Sequence, residues 1–74
     1  MNQLYNKQEF AALVLRAVGN TKKKEFASLI DVSPEYFSRI LNSKLANPPS
    51  IQVIQQIANH ASNAVSYAHL LTAA

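Results

Sequence analysis

The residues best suited to chemistry in this chain are basic, and they are concentrated in one part of it. Five of the seven Lys and Arg residues lie between positions 22 and 44: Lys22, Lys23, Lys24, Arg39 and Lys44. Beyond position 44 the sequence contains no Lys, Arg, Asp or Glu. The formal net charge of +3 is mild, but basic charge collected in this way suits a local contact with phosphate groups.

The sequence offers almost nothing for catalysis. It has no cysteine, and its two histidines, His60 and His69, are isolated from each other and from other metal-binding residue types. No nucleophile stands near a general base, no carboxylates are paired, and there is no glycine-rich phosphate loop. We therefore predict a protein that is not an enzyme, with no catalytic residues and with neither a cofactor nor a metal.

The composition also bears on location. No apolar run approaches the roughly 18 residues of a membrane span, and the first six residues lack the charged and apolar regions of a secretory signal. Together with the lack of cysteine, this predicts a cytoplasmic protein without a membrane partner.

Five helices and no strands are predicted to position these residues, so the expected fold class is all-α. The first helix covers about residues 7–18, with Asn6 and Glu9 spaced as a capping box and a core stripe of Phe10, Leu13, Val14 and Ala17. Gly19 follows at the C-terminal end, where a cap needs positive φ. After the loop that Asn47, Pro48 and Pro49 enforce, Ser50 and Ser66 are predicted to cap the fourth and fifth helices. The inward residues predicted for those two helices are Ile51, Ile54, Ile57, Ala58, Leu70 and Leu71.

The second and third helices are short and are separated by a tight turn. The second is predicted over residues 22–30 with Thr21 as its N-cap, and the third over about residues 33–42, with Ser33 as N-cap and Pro34 in its first turn. Their apolar stripes at helical spacing are Phe26, Leu29 and Ile30 on the second helix and Phe37, Ile40 and Leu41 on the third. Two such helices around a turn are typical of a helix-turn-helix.

The run KEFASLIDVSPEYFSRILN resembles the Cro/repressor-type helix-turn-helix family, also called XRE-like or lambda-repressor-like. The family has an apolar residue followed by alanine early in the second helix, here Phe26 and Ala27, and an apolar turn residue, here Val32. Glycine is usual at the turn position that Asp31 occupies, but aspartate is among the residues that reach positive φ most readily.

The resemblance extends over roughly residues 10–71. The further matching residues are Asn47, Pro48, Ser50, Val65, Ser66, Leu70 and Leu71. The chain departs from the family between Ala58 and Val65, where the connection is about two residues longer than the usual turn.

The resemblance implies a compact five-helix lambda-repressor-like DNA-binding domain, with the helix-turn-helix formed by helices 2 and 3. We expect residues 1–74 to be a single such domain, the N-terminal part of a longer prokaryotic or phage transcription regulator, more specifically a repressor. Its partner is then a double-stranded DNA operator, with the third helix in the major groove. A homodimer is expected, through the C-terminal helix around Tyr67, Leu70 and Leu71 or through a missing downstream region.

Residues at the exposed start of the third helix are predicted to read bases: Ser33, Pro34, Glu35, Tyr36, Ser38 and Arg39. Those predicted to bind phosphate are Thr21, Lys22, Lys23, Lys24, Asn42, Ser43 and Lys44. Arg39 is the strongest candidate, because its guanidinium fork can bond guanine bidentately, whereas Pro34 can contribute only shape and apolar contact.

Alternatives remain for individual residues and for the whole chain. The three consecutive lysines could be an ordinary solvated face, Arg39 could pair with Glu35 four residues earlier, and Tyr36 could simply cover the edge of the core. At the level of function, the alternative is a protein-interaction or inhibitor module that keeps the fold without binding DNA.

Overall fold

The five helices of the computed structural model, which describes residues 5–73, follow one another without any strand in that range. They are α1 (Lys7–Val18), α2 (Lys23–Leu29), α3 (Pro34–Leu41), α4 (Ile51–Asn59) and α5 (Tyr67–Ala73). The predicted all-α class and the number of helices are confirmed. The Cα radius of gyration of 11.1 Å equals the roughly 11 Å expected for a compact chain of this length.

Helix α1 lies at the centre of the packing, where it contacts α3, α4 and α5, while α2 packs on α3 and α4 on α5. The core contains three phenylalanines, Phe10, Phe26 and Phe37, each at most 1 % exposed. The rings of Phe26 and Phe37 stack with centroids 5.6 Å apart, which joins α2 to α3. Ala27, beside Phe26, is completely enclosed.

Three predicted core residues lie instead at the surface. Leu29, Ile51 and Leu71 are 50 %, 59 % and 39 % exposed. Leu29 is the last residue of α2, Ile51 is the first residue of α4, and Leu71 lies in the last turn of α5. No neighbouring helix covers these three side chains. The buried residues of α2 are Phe26 and Ala27, and its C-cap residue Ile30 is buried as well, so the apolar stripe turns away from Leu29.

Serine side chains cap the starts of three helices, as predicted. The hydroxyls of Ser33, Ser50 and Ser66 accept hydrogen bonds from backbone N–H groups three residues later, at 3.1, 3.3 and 3.2 Å. These bonds satisfy one of the N–H groups that lack a partner within each helix. Pro34 occupies the first turn of α3, where its missing N–H costs nothing.

Asn6 caps α1 in a modified capping box. Its carboxamide oxygen accepts from the Glu9 N–H at 3.0 Å, and its Nδ2 donates back to Glu9 Oε1 at 3.4 Å. The backbone N–H of Asn6, which an ordinary capping box would engage, donates to the Ala73 carbonyl at 2.8 Å. The start of α1 is thereby tied to the end of α5.

The prediction that Thr21 caps α2 is wrong. The N-cap is Lys22, which makes no side-chain cap hydrogen bond, and the helix begins at Lys23. The Thr21 N–H donates to the Val18 carbonyl at 3.0 Å, so Thr21 belongs to the end of α1.

Helices α2 and α3 end in the same motif. After α2, Asp31 has φ of 62°, and Asp31 and Val32 donate to the Ser28 and Ala27 carbonyls at 3.1 and 3.0 Å. After α3, Ser43 has φ of 58°, with equivalent bonds from Ser43 to Ile40 and from Lys44 to Arg39. Both are Schellman motifs. The positive φ predicted for Asp31 is confirmed, whereas the positive φ of Ser43 was not predicted from the sequence.

The long connection between α4 and α5 closes the C-terminal end of α1. The Ser62 N–H donates to the Ala17 carbonyl at 2.8 Å, and Asn63 Nδ2 donates to the Arg16 carbonyl at 2.9 Å. The Leu15 and Val18 carbonyls accept from the N–H groups of Gly19 and Thr21. All four terminal carbonyls of α1 are therefore satisfied, two of them by residues of the α4–α5 connection.

Gly19 makes this approach possible. Its φ of 58° and ψ of −127° suit glycine alone, and an added Cβ would lie 3.0 Å from the Ser62 Cβ. The predicted requirement for positive φ at Gly19 is confirmed, and close contact with the connection adds a second reason for glycine.

Candidate nucleic-acid interface

A groove between the start of α2 and the exposed side of α3 collects the best candidates for binding. Its volume is about 270 Å³, and its lining residues are Lys23, Lys24, Pro34, Phe37, Ser38, Leu41 and Asn42. Lys23 and Lys24 therefore lie beside the first turn of α3. Apolar side chains form the floor of the groove, and polar side chains of α3 and its C-cap line its side. Two sets of residues that the sequence predicted for phosphate and base contacts meet here.

The lysines are free to bind a partner. Lys22, Lys23 and Lys24 are all exposed, and Lys24 also borders an adjoining cleft with Glu25 and Ser28. In the part of the chain that the structure describes, none of the three forms a salt bridge. Cations at this position oppose the positive end of the helix dipole, so a bound anion would relieve an unfavourable arrangement.

The exposed side of α3 carries four of the predicted base readers, Pro34, Glu35, Ser38 and Arg39. Pro34 and Ser38 line the groove, whereas Glu35 and Arg39 lie further around the helix. No salt bridge joins Arg39 to Glu35 within residues 5–73, so the proposed pairing of these two side chains is not formed.

Two hydroxyls on this surface have structural partners. Ser33 Oγ is the acceptor in the N-cap of α3, and Ser38 Oγ accepts from Asn42 Nδ2 at 3.1 Å. Each hydroxyl can still donate its proton, because these bonds use only its acceptor capacity. The Ser38–Asn42 bond holds the Asn42 amide beside the groove.

Tyr36 lies at the edge of the core. Its side chain is half-buried against the apolar cluster, near Tyr5, whose ring meets Phe10 edge-on at 6.0 Å. Burial raises the pKa of the Tyr5 hydroxyl above its usual value, and the charge of Tyr36 adds to the rise. This placement favours a packing role for Tyr36 over base reading.

The remaining phosphate candidates are dispersed. Thr21 is half-buried in a cleft between the α1–α2 connection and the α4–α5 connection, away from the groove. Ser43 is half-buried, and its hydroxyl donates to the Lys7 carbonyl of α1 at 3.4 Å. Lys44 is exposed just beyond the end of α3. A partner bound in the groove would therefore be accessible to its side chain.

Two groove residues were not predicted as part of a site. Phe37 and Leu41 form the apolar floor, with Phe37 almost fully buried and Leu41 half-buried. Phe37 and Leu41 each lie one helical turn after a predicted base reader, Pro34 or Ser38, so helical spacing could have placed them on the same face. The same spacing is equally typical of residues that belong to the hydrophobic core.

The described residues contain no group of three His, Cys, Asp or Glu side chains that could hold a metal ion. Within the same residues, no buried side-chain nitrogen or oxygen lacks a hydrogen-bond partner. No described helix has the length and apolarity that a membrane crossing requires.

Comparison of the chain with models of protein families, with curated proteins and with solved structures finds no match. The residues and geometry of this surface are therefore the features of the chain that bear on its function.

Proposed function

We propose that α2 and α3 form a helix-turn-helix of the lambda-repressor-like type and that this protein binds double-stranded DNA sequence-specifically. In this proposal it is a cytoplasmic transcription regulator of prokaryotic or phage type that represses by occupying an operator. The start of α3 enters the major groove, and Lys22, Lys23 and Lys24 contact the phosphate backbone.

One observation carries the proposal: the groove that combines unpaired lysines with the exposed side of a helix. DNA recognition needs cations that contact phosphate and an exposed helix face that reads bases, and in this chain unpaired lysines and exposed residues of α3 line the same groove, which supports the proposal. The Schellman turns at Asp31 and Ser43 stabilise the C-terminal ends of α2 and α3 through backbone hydrogen bonds.

The base readers have distinct chemical preferences. Arg39 is suited to the O6 and N7 acceptors of guanine, and Glu35 to the amino group of cytosine. Because α3 is short and Tyr36 turns toward the core, these two residues and Pro34 with Ser38 offer the available contacts.

A titration of labelled random-sequence duplex at low and high salt tests the proposal. With about four cations on phosphates, we expect log affinity to fall against log salt with a slope of about −3.6. The matched control is a variant with Lys22, Lys23 and Lys24 all changed to Gln, which should bind more weakly and show a shallower slope. Absence of binding at low salt would contradict the proposal.

A protein-interaction or inhibitor module is the second candidate. It is favoured by exposed apolar side chains outside the groove, Leu15, Leu29 and Ile51, and by the negative charge of Glu35 on α3. A partner of this kind would bind without strong salt dependence and would not require the three lysines.

A further inference from the structure

The first turn of α3 presents an apolar group where bases are read. Pro34 is exposed, and it is the only apolar residue among the exposed positions of α3, whose others are Glu35, Ser38 and Arg39. Its pyrrolidine ring has neither a hydrogen-bond donor nor an acceptor, so it cannot recognise a base edge by hydrogen bonding.

Apolar side chains line the groove that Pro34 borders. Phe37 and Leu41 line the same groove, and Lys23 and Lys24 belong to its lining as well. The Ser33 cap, with its 3.1 Å bond to the Tyr36 N–H, fixes the position of the proline at the helix start. A rigid apolar edge thus stands next to two cations that a DNA strand would neutralise.

Only one apolar group is available in the major groove of DNA. Thymine carries a 5-methyl group there, whereas the other three bases present donors and acceptors. A hydrogen-bonding base edge set against Pro34 would lose its water without gaining a partner, which is unfavourable.

We propose that Pro34 is a specificity-determining residue that packs on the 5-methyl group of a thymine, at the mouth of the groove with Phe37 and Leu41. The inference rests on the proposed DNA-binding function and adds the identity of one base to it. The methyl contact supplies the preference for thymine, and the lysines hold the adjoining backbone.

The test uses a duplex selected by this protein from a random pool. Each thymine is replaced singly by deoxyuridine, which removes only the 5-methyl group, and affinity is measured with the wild-type chain and with Pro34→Gly. We expect one replacement to weaken wild-type binding about fourfold, as for one buried methyl-sized group, and to have no effect on Pro34→Gly.

Two controls keep the result specific. Pro48→Gly changes an exposed proline in the α3–α4 loop and should retain the full sensitivity to deoxyuridine. Pro34→Ser introduces serine, a residue that is tolerated at the start of a helix. A loss of the thymine preference in Pro34→Ser therefore cannot be attributed to the destabilising effect of glycine on the helix. Far-ultraviolet circular dichroism checks that each variant is helical.

The outcomes separate this inference from the proposed function. If selected DNA binds but no deoxyuridine position is coupled to residue 34, the thymine contact is wrong while DNA binding stands. If no duplex binds at low salt, both are wrong. If the sensitivity persists unchanged in Pro34→Gly and Pro34→Ser, another residue reads the methyl group.

Discussion

Four non-glycine residues adopt positive φ among the described residues, and one of them is poorly suited to it. Asp31, Ser43 and Asn63 have short polar side chains, but Ala64, with φ of 61°, does not. Asn63 and Ala64 are consecutive, and the Val65 N–H donates to the Ser62 carbonyl at 3.4 Å, as in a type I′ turn. The second central position of such a turn ordinarily favours glycine.

Ala64→Gly is therefore expected to raise the free energy of unfolding by roughly 0.5–1 kcal/mol. The left-handed conformation costs an L-residue about 1–2 kcal/mol, and the greater freedom of glycine in the unfolded chain offsets part of that gain. Urea denaturation followed by circular dichroism measures the change. Ala12→Gly, at an exposed position within α1, is the control and should destabilise by about 1 kcal/mol. Equal destabilisation by both variants would contradict the strain at Ala64.

Arg39 and Lys23 are predicted to fail in different ways when changed to alanine. Arg39→Ala should cost about 1–3 kcal/mol on a selected operator and much less on random duplex, because a base contact is lost. Lys23→Ala should weaken both duplexes similarly and lower the salt slope by about 1, because a phosphate contact is lost. Fluorescence anisotropy with the two duplexes distinguishes them, and equal losses for Arg39→Ala would make Arg39 a phosphate contact.

At the scale of elements, the packing of α2 depends on a small residue at position 27. Ala27 is fully enclosed next to Phe26, and its carbonyl accepts the Val32 N–H that closes the turn. A larger side chain would have to displace neighbours in a close-packed core.

Ala27→Leu is expected to lower the free energy of unfolding by about 1–3 kcal/mol through overpacking. Ser28→Leu, at the next and exposed position of α2, adds the same side chain outside the core and should change stability little. Thermal unfolding of the two variants provides the comparison. If both melt like the wild-type chain, the space around Ala27 is less constrained than its burial indicates.

Caps show which parts of an element can be predicted from nearby residues. Ser33, Ser50 and Ser66 were predicted correctly because a cap requires only a serine and an N–H three residues later. Thr21 was wrong because the start of α2 depends on where α1 ends, and the Thr21 N–H is engaged by the Val18 carbonyl.

In the assembled molecule, burial reduces the number of residues that could form the predicted dimer contact. Leu70 is completely buried within the core, so of the three expected contact residues only half-buried Tyr67 and exposed Leu71 remain on the surface of α5. A homodimer through α5 stays a prediction.

Dimeric binding would place two half-sites one helical turn apart, about 10–10.5 base pairs between centres. Selection from a random duplex pool should then return a near-palindrome, and sedimentation of the complex should give two chains per duplex. Leu71→Glu is expected to reduce this assembly, whereas Leu15→Glu, an equally drastic change at an exposed position of α1, should not. A single asymmetric site with one chain bound would contradict the dimer.

Features that depend on neighbours along the chain follow from the amino-acid sequence alone. Helical spacing predicted the burial of Phe10, Phe26 and Phe37, and local turn chemistry predicted positive φ at Gly19 and Asp31. These follow from sequence because periodicity selects one face of a helix and a cap involves residues at most a few positions apart.

The packing of the helices against one another sets which residues at the margins of those faces are covered and which residues meet between elements. Leu29, Ile51 and Leu71 are exposed because no other helix reaches them, and Ser62 with Asn63 caps α1 across more than 40 residues of chain. The groove beside Pro34 likewise exists only because α2 and α3 pack together. Such contacts depend on how helices assemble in space, which the spacing of residues within one helix does not specify.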